Sequence, residues 1–523
     1  MLSDSKRFNV GYLSARTAIT DPGRPAILDF HGGVQRVLTY GELETRLNRV
    51  ASLLESLGLS PGTRVALLVG NRREFIEVVY GAMRSHMLPA LVNTKLGLNG
   101  LVASLNAITP EVAIVEPECN PSAIEAVERA GVKHRIILGS ARPGWTEYER
   151  CVSQAAPEYE PPPVNTAAPA DLSFTSGTTG VPKGVVTSHR AHLMRNAVLG
   201  HRVAHLVGGP IRALVCLPIF HANGRTSIGW AFETGGLVVV QRQFEAREAL
   251  QNISAHRINF FLGVLPAYAA MLKQTDLIET LDFSNLKHLL VGSAPSGGDV
   301  MPKIGQALGV RILTGYGATE FGASMQAPYE GDYDLASCGM PQPGVEAKLV
   351  DPDTGAVGNK GELLLRSEWA FDGYWGRPDL AAAKFQDGWY RSGDLFERDD
   401  AGFYYFRGRT DDMLNIAGEK AHPSEIEEIL QRHAGVSMAC VVAVPHQDKG
   451  QVPAAMIVPA AGQRVTPEDL KTFFLQNGPA YAHPRHILIV DALPVAHTGK
   501  IDRALVREMI MNAGVQPAGA AAA

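Results

Sequence analysis

Cysteine is scarce in this sequence. Cys119, Cys151, Cys216, Cys338 and Cys440 are odd in number, far apart and never in a C-x-x-C pair. That pattern excludes a disulfide framework or zinc ribbon and points to a reducing, cytoplasmic compartment. Long apolar runs are also missing. The most apolar stretch, Ile258 to Leu272, is interrupted by Asn259, Gly263 and Pro266, and falls short of the about 18–20 apolar residues a membrane span needs. Met1 to Thr17 carries Asp4, Lys6 and Arg7 without an apolar core, so no secretory signal is expected. Neither sign of charge dominates: the net charge is −5, which gives no electrostatic basis for binding nucleic acid or an anionic membrane. What is plentiful is apolar residue content. A hydrophobic fraction of 46% over 523 residues excludes a disordered chain. It suits roughly two to four domains of about 100–200 residues each.

Short apolar runs alternate with segments of helical spacing. Arg64–Gly70, Pro89–Asn93, Val112–Glu116 and His134–Gly139 read as buried strands. Glu74–His86, Leu98–Ile108 and Ala123–Ala130 read as helices between them. The rhythm resumes with strands at Ile211–Leu217, Leu237–Gln241, Asn259–Val264, Leu286–Gly292 and Arg311–Thr314, and helices at Arg247–His256 and Asp299–Leu308. Strand, helix, strand at this pace predicts an α/β fold with mixed, mostly parallel sheets flanked by helices. From Val345 to Ser367 the texture becomes that of an antiparallel hairpin. A charged connector at Arg407–Asp412 predicts a boundary, giving a large unit over 1–409 and a smaller α+β unit over 410–523. In the small unit, Pro423 followed by Ser424-x-x-Glu427 predicts a capping box at a helix start.

The strongest chemical signal is Thr175-Ser176-Gly177-Thr178-Thr179-Gly-Val-Pro-Lys183-Gly184. Glycines let backbone N–H groups approach a polyphosphate, hydroxyls donate to its oxygens, and Lys183 supplies countercharge. It is not the G-x-x-x-x-G-K-[ST] P-loop, because Pro182 stands five residues after Gly177. His201 and His205 have metal-ligand spacing, but no third ligand is evident. Gly315-Tyr-Gly is not a dinucleotide fingerprint, since Glu320 stands where the last glycine belongs.

The segment Thr175–Gly184 resembles the phosphate-binding signature of the adenylate-forming superfamily, which contains acyl-CoA and aryl-CoA synthetases, peptide-synthetase adenylation domains and luciferases. Gly315-Tyr-Gly-Ala-Thr-Glu320, Tyr390-Arg-Ser-Gly-Asp394, Gly408-Arg409-Thr-Asp411 and Pro494–Arg503 resemble four further elements, in family order. The resemblance implies a β-rich subdomain in the large unit and a mobile small unit. It also implies roles. Tyr316 stacks on adenine, with Gly292-Ser293-Ala294-Pro295 along the adenine edge. Asp394 and Arg409 hold the ribose, Thr319 donates to the α-phosphate, and Glu320 is the Mg²⁺ ligand. Lys500 stabilises charge building on phosphorus during adenylation. Asp411 is the hinge about which the small unit turns, bringing Gly418 to a thiol attack. His221, Gly317, Ala318, Gly322, Ala323 and Met325 border the acid.

The implied reaction is ATP-dependent ligation of a small carboxylic acid to coenzyme A through an acyl-adenylate, in a homodimer. Phe220-His221-Ala222-Asn223 offers no carboxylate for an α-amino group, which disfavours amino acids. Fatty, aryl and alicyclic acids stay open, as do two alternatives: an enzyme loading a carrier protein, and a non-catalytic nucleotide-binding relative.

Overall fold

Val65 and Leu67 of the strand Arg64–Leu68 point to one side, Ala66 and Leu68 to the other, and all are fully buried. A strand covered on both faces belongs in a parallel sheet packed by helices on each side, and the rest of the large unit follows from that. The computed structural model describes residues 3–31, 33–175, 183–292, 300–410, 412–416, 419–446, 449–496 and 501–513.

One sheet runs in the order Gly373–Tyr374, Lys183–Ser188, Pro169–Thr175, Leu88–Leu91, Arg64–Leu68, Val112–Val115, His134–Ile137, Thr146–Glu147. Its strands are parallel from Pro169–Thr175 onward, and the two at the other edge are antiparallel. The second sheet has a parallel block of Arg311–Ala318, His288–Val291, Phe260–Gly263, Arg212–Val215, Leu237–Val240 and Pro25–His31. Antiparallel strands close it at both edges.

Helices Tyr40–Ser56, Arg73–Arg84 and Ala222–Glu233 share one core with the facing sides of both sheets. Leu98–Ile108 and Ala123–Arg129 cover the outer side of the first sheet. Ala246–Ala255, Leu265–Leu272 and Val300–Leu308 cover that of the second. The result is five layers, helix to sheet to helix to sheet to helix.

An antiparallel sheet follows, in which Glu346–Val350 pairs Lys360–Arg366, Lys360–Arg366 pairs Trp389–Arg398, and Trp389–Arg398 pairs Tyr404–Arg409. This sheet ends at Arg409, and a hairpin of Leu414–Ile416 and Glu419–Ala421 comes next. The last unit is a sheet of Val436–His446, Gly450–Pro459 and His486–Ile489 with helices Pro423–Gln431, Pro467–Asn477 and Arg503–Asn512. It has cores of its own.

Two expectations need correction. The strand expected at Arg311–Thr314 continues to Ala318, because the next residues pair antiparallel with Gly322–Gln326. The helix expected to be capped by Ser424 and Glu427 instead begins at Pro423, with His422 at the cap and its N–H donating to Glu425 Oε2 at 3.4 Å. Proline lacks an N–H and fits the first helical position, which moves the cap upstream. Ser424 donates to the Arg407 carbonyl. Glu427 is buried, 2.7 Å from the Arg503 guanidinium.

His189, fully buried at the start of helix His189–Arg195, accepts the Val10 N–H at Nδ1, 3.2 Å away. Burial pushes its pKa down from 6.5 to about 3. The folded chain therefore keeps His189 neutral where the unfolded chain binds a proton. Stability should fall as pH drops from 6.5 towards 3, by about 1.4 kcal/mol per pH unit from this group. Urea midpoints at pH 7, 6 and 5 check this. The slope should be shallower in His189→Asn, whose side-chain oxygen can replace Nδ1.

Candidate active site

Thr175 ends one strand and Lys183 opens the next, and the two are cross-strand partners. The phosphate-loop candidate therefore joins a β-hairpin. Ser176, Gly177, Thr178 and Thr179 lie outside the described residues, as do Ser293, Ala294, Pro295, Asp411, Gly418 and Lys500. Gly292 directly follows the strand His288–Val291.

Thr319 and Glu320 occupy the turn between Arg311–Ala318 and Gly322–Gln326. This turn is tied to the Lys183 hairpin across the two sheets. The strand Gly373–Tyr374 pairs with Val185 and Val186, and the Tyr374 hydroxyl donates to Glu320 Oε1 at 2.9 Å. The Phe371 N–H donates to the Glu320 carbonyl at 2.7 Å. Burial, together with the Glu320 carboxylate, pushes the Tyr374 phenol above its ordinary range, so it stays a donor. Among the described residues no group of three or more His, Cys, Asp or Glu is placed to hold a metal. His201 pairs with Glu233 at 3.2 Å.

The third cluster joins separate strands. Asp394 and Arg409 are cross-strand partners, with Arg409 Nη1 donating to Asp394 Oδ1 at 2.9 Å. The Tyr316 hydroxyl donates to Asp394 Oδ2. Ser392 fixes the local backbone: its hydroxyl accepts the Asp394 N–H at 3.0 Å and donates to the Leu363 carbonyl at 2.7 Å. Burial, then the Asp394 charge, holds the Tyr316 phenol well above its ordinary range. The Tyr316 ring packs edge-on against Phe396, with centroids 5.0 Å apart.

Beside Thr319 lies a cavity of about 60 Å³. Phe75, Val79, Tyr80, Leu199 and Trp230 supply much of its apolar wall, Asp171, Arg195 and Arg225 supply charge, and His192 adds an imidazole. Gly322 lines it with φ +70°, and a Cβ there would come within 3.0 Å of Arg195 Nε, so both backbone and space favour glycine. Ala323, also expected to border the acid, lines this cavity too, whereas His221, Gly317, Ala318 and Met325 do not. A Cβ at Gly317 would lie 2.6 Å from the Gly322 carbonyl, so that glycine serves strand packing. Ala318 pairs with Gly322 at the hairpin end. Met325 is buried in the core that holds Phe321, Trp369 and Tyr390. His221 caps helix Ala222–Glu233 beside Phe220, one residue before the lining begins at Ala222.

Sequence reasoning missed the charged lining. Asp171 and Ser173 alternate with Ala170, Leu172 and Phe174, the pattern of a strand with one wet face. That face is buried instead: Asp171 is 0% exposed and Ser173 2%.

In the small unit, Val495 and Ile501 form an antiparallel bridge, and the Asp502 N–H donates to the Pro494 carbonyl at 2.9 Å. The residues flanking Lys500 are therefore pinned together. Arg503 donates to the Val441 carbonyl at 2.6 Å and to Glu427 Oε2 at 3.0 Å, anchoring the following helix.

The chain matches the family described as AMP-binding enzyme over residues 14–375, and its AMP-binding enzyme C-terminal domain over residues 425–500. It is 30% identical over 500 residues to the fatty acid–[acyl-carrier-protein] ligase ScoC of Streptomyces coeruleorubidus, covering 93% of this chain and 94% of that protein. It is 30% identical over 506 residues to a feruloyl-CoA synthase of an Amycolatopsis species, covering 95% and 98%. The crystal structure of the anthranilate CoA ligase AuaEII with anthranoyl-AMP shares the fold with a TM-score of 0.87 at 26% identity, covering 97% and 98% of the two chains. Among the described residues no helix is long and apolar enough to cross a membrane. Because the family match takes in both the five-layer unit and the small unit, and related proteins align along nearly the full length, the chain belongs to the AMP-binding enzyme family of the adenylate-forming superfamily.

Proposed function

We propose that the protein is an ATP-dependent carboxylic acid–CoA ligase. The observation that carries this reading is the bridge through Tyr374, which ties the Glu320 turn to the Lys183 hairpin while Thr319 faces the cavity. A triphosphate lying along the hairpin would bring its α-phosphorus towards Thr319 and the cavity it lines. The acid's carboxylate oxygen attacks that phosphorus, the bond to the bridging oxygen breaks, and pyrophosphate leaves with its electron pair. A thiol, giving up its proton, then attacks the acyl carbon, and AMP leaves.

Within this reading, Asp394 accepts hydrogen bonds from the ribose hydroxyls, Arg409 and Tyr316 fix its carboxylate, and Lys183 pairs with phosphate. Glu320 suits Mg²⁺, which takes one or two carboxylates alongside substrate phosphates. The ion would neutralise charge on the triphosphate. The large unit 1–409 and the small unit 410–523 would alternate about Asp411, with Lys500 serving the first step and the segment around Gly418 the second.

The naming of one relative as an acyl-carrier-protein ligase favours a second reading, in which a carrier's thiol replaces CoA. A panel of carboxylic acids with ATP, Mg²⁺ and CoA separates the readings. Acid-dependent pyrophosphate release with a CoA thioester is the expected result. Release without thioester favours the carrier. No release with any acid overturns the enzyme reading.

A further inference from the structure

The cavity holds a charged cluster that adenylation itself does not use. Asp171 sits mid-strand and fully buried, paired with the Arg225 guanidinium. His192 Nε2 lies 3.1 Å from Asp171 Oδ2, and Arg225 Nη2 donates to Ser173 Oγ at 2.6 Å. Arg195 adds a second guanidinium, which donates to the Trp369 carbonyl at 2.7 Å and the Glu320 carbonyl at 3.3 Å. Two polar atoms of the pair remain unused. Asp171 Oδ1 and Arg225 Nε are both buried and have no hydrogen-bond partner among the described residues. One is an acceptor and the other a donor, and both residues line the cavity.

A buried donor and acceptor left unpaired cost free energy. A ligand group that both accepts and donates removes both costs, and a hydroxyl is the smallest that does. A second carboxylate would satisfy Arg225 but meet Asp171 Oδ1 with like charge. An ammonium would satisfy Asp171 but meet two guanidiniums. We infer that the Asp171–Arg225 pair is a specificity element that reads a hydroxyl on the body of the acid, so that the substrate class is hydroxylated carboxylic acids. This rests on the acid-activating reading above. Arg225 Nε donates to the hydroxyl oxygen, the hydroxyl donates to Asp171 Oδ1, and the apolar wall with Tyr80 and Trp230 takes the carbon skeleton. A site built to bond a hydroxyl discriminates strongly against the analogue that lacks it.

The test compares matched acids in pyrophosphate release: benzoate with its three monohydroxy and three monoamino isomers, and octanoate with its hydroxy isomers. Quenching of tryptophan fluorescence reports binding independently, since Trp230 lines the cavity. One hydroxy isomer should exceed its parent acid in kcat/KM by on the order of 10²-fold, with a matching rank in binding. In the paired variant Asp171→Ala, Arg225→Met, that ratio should fall towards one. If that variant does not fold, the wild-type ratio still decides. Equal turnover of parent and hydroxy acids, the outcome if water alone fills the site, overturns the inference and leaves the ligase reading standing. Preference for an amino isomer overturns it in favour of a neutral amine that donates to Asp171 Oδ1. No release with any acid removes both.

Discussion

Replacing Lys500 by alanine is expected to slow acyl-adenylate formation by on the order of 10²–10³, the cost of losing one preorganised group that stabilises transition-state charge. Thioester formation from preformed acyl-adenylate should change little. The asymmetry follows from the chemistry. Negative charge builds on phosphorus only in the first step, so an ammonium placed there stabilises that transition state more than the bound substrates. The framework for such placement is visible on either side of the residue. Val495 bridges Ile501, Asp502 accepts the Leu505 N–H at 3.0 Å, and Arg503 is locked to Glu427 and Val441. Rapid-quench measurement of pyrophosphate release, set against single-turnover transfer from synthetic acyl-adenylate to CoA, separates the two steps. Equal losses in both would mean that the substitution acts on folding rather than on charge.

Asp394→Ala should lower kcat/KM for ATP by on the order of 10²-fold, since hydrogen bonds to a charged group are each worth about 1.5–3 kcal/mol and neighbouring effects are not additive. Asp394 is only 9% exposed, and its carboxylate is held on one oxygen by Arg409 and on the other by Tyr316. Its direction is therefore set before nucleotide arrives. A merely structural role would weaken all nucleotides alike. The ribose role makes a sharper statement: the wild type should discriminate against 2′-deoxy-ATP, and Asp394→Ala should lose that discrimination. Steady-state kinetics with ATP and 2′-deoxy-ATP as varied substrates provide the check.

The strands and helices legible in the sequence were those whose signals are local. Leu98–Ile108 carries a 3.6-residue apolar period and forms the helix with those same bounds. Val112–Val115 and Leu237–Val240 are short β-branched runs and form buried strands. Pro25–His31 went unread; it pairs locally with Val34–Thr39, but its other neighbour in the sheet, Leu237–Val240, is some two hundred residues away. The site divides the same way. Asp394, Arg409, Tyr316 and Glu320 stand in short motifs whose chemistry demands particular residue types close together. The cavity wall is assembled from Val10, Val79, Asp171, Arg195, Arg225 and Thr319, which no motif connects. Small size alone also misled: Gly317 is small for the sake of a neighbouring strand, whereas Gly322, small for both φ and Arg195, lines the cavity.

The proposed ligase activity stands on one step, the joining of a carboxylate to the α-phosphorus of ATP. Incubation with ATP, Mg²⁺ and an acid panel, without CoA, followed by mass spectrometry of the nucleotide products, tests it most directly. An acyl-adenylate and pyrophosphate should appear, and only when a suitable acid is present. Release of ADP and phosphate, or acid-independent turnover of ATP, would contradict it.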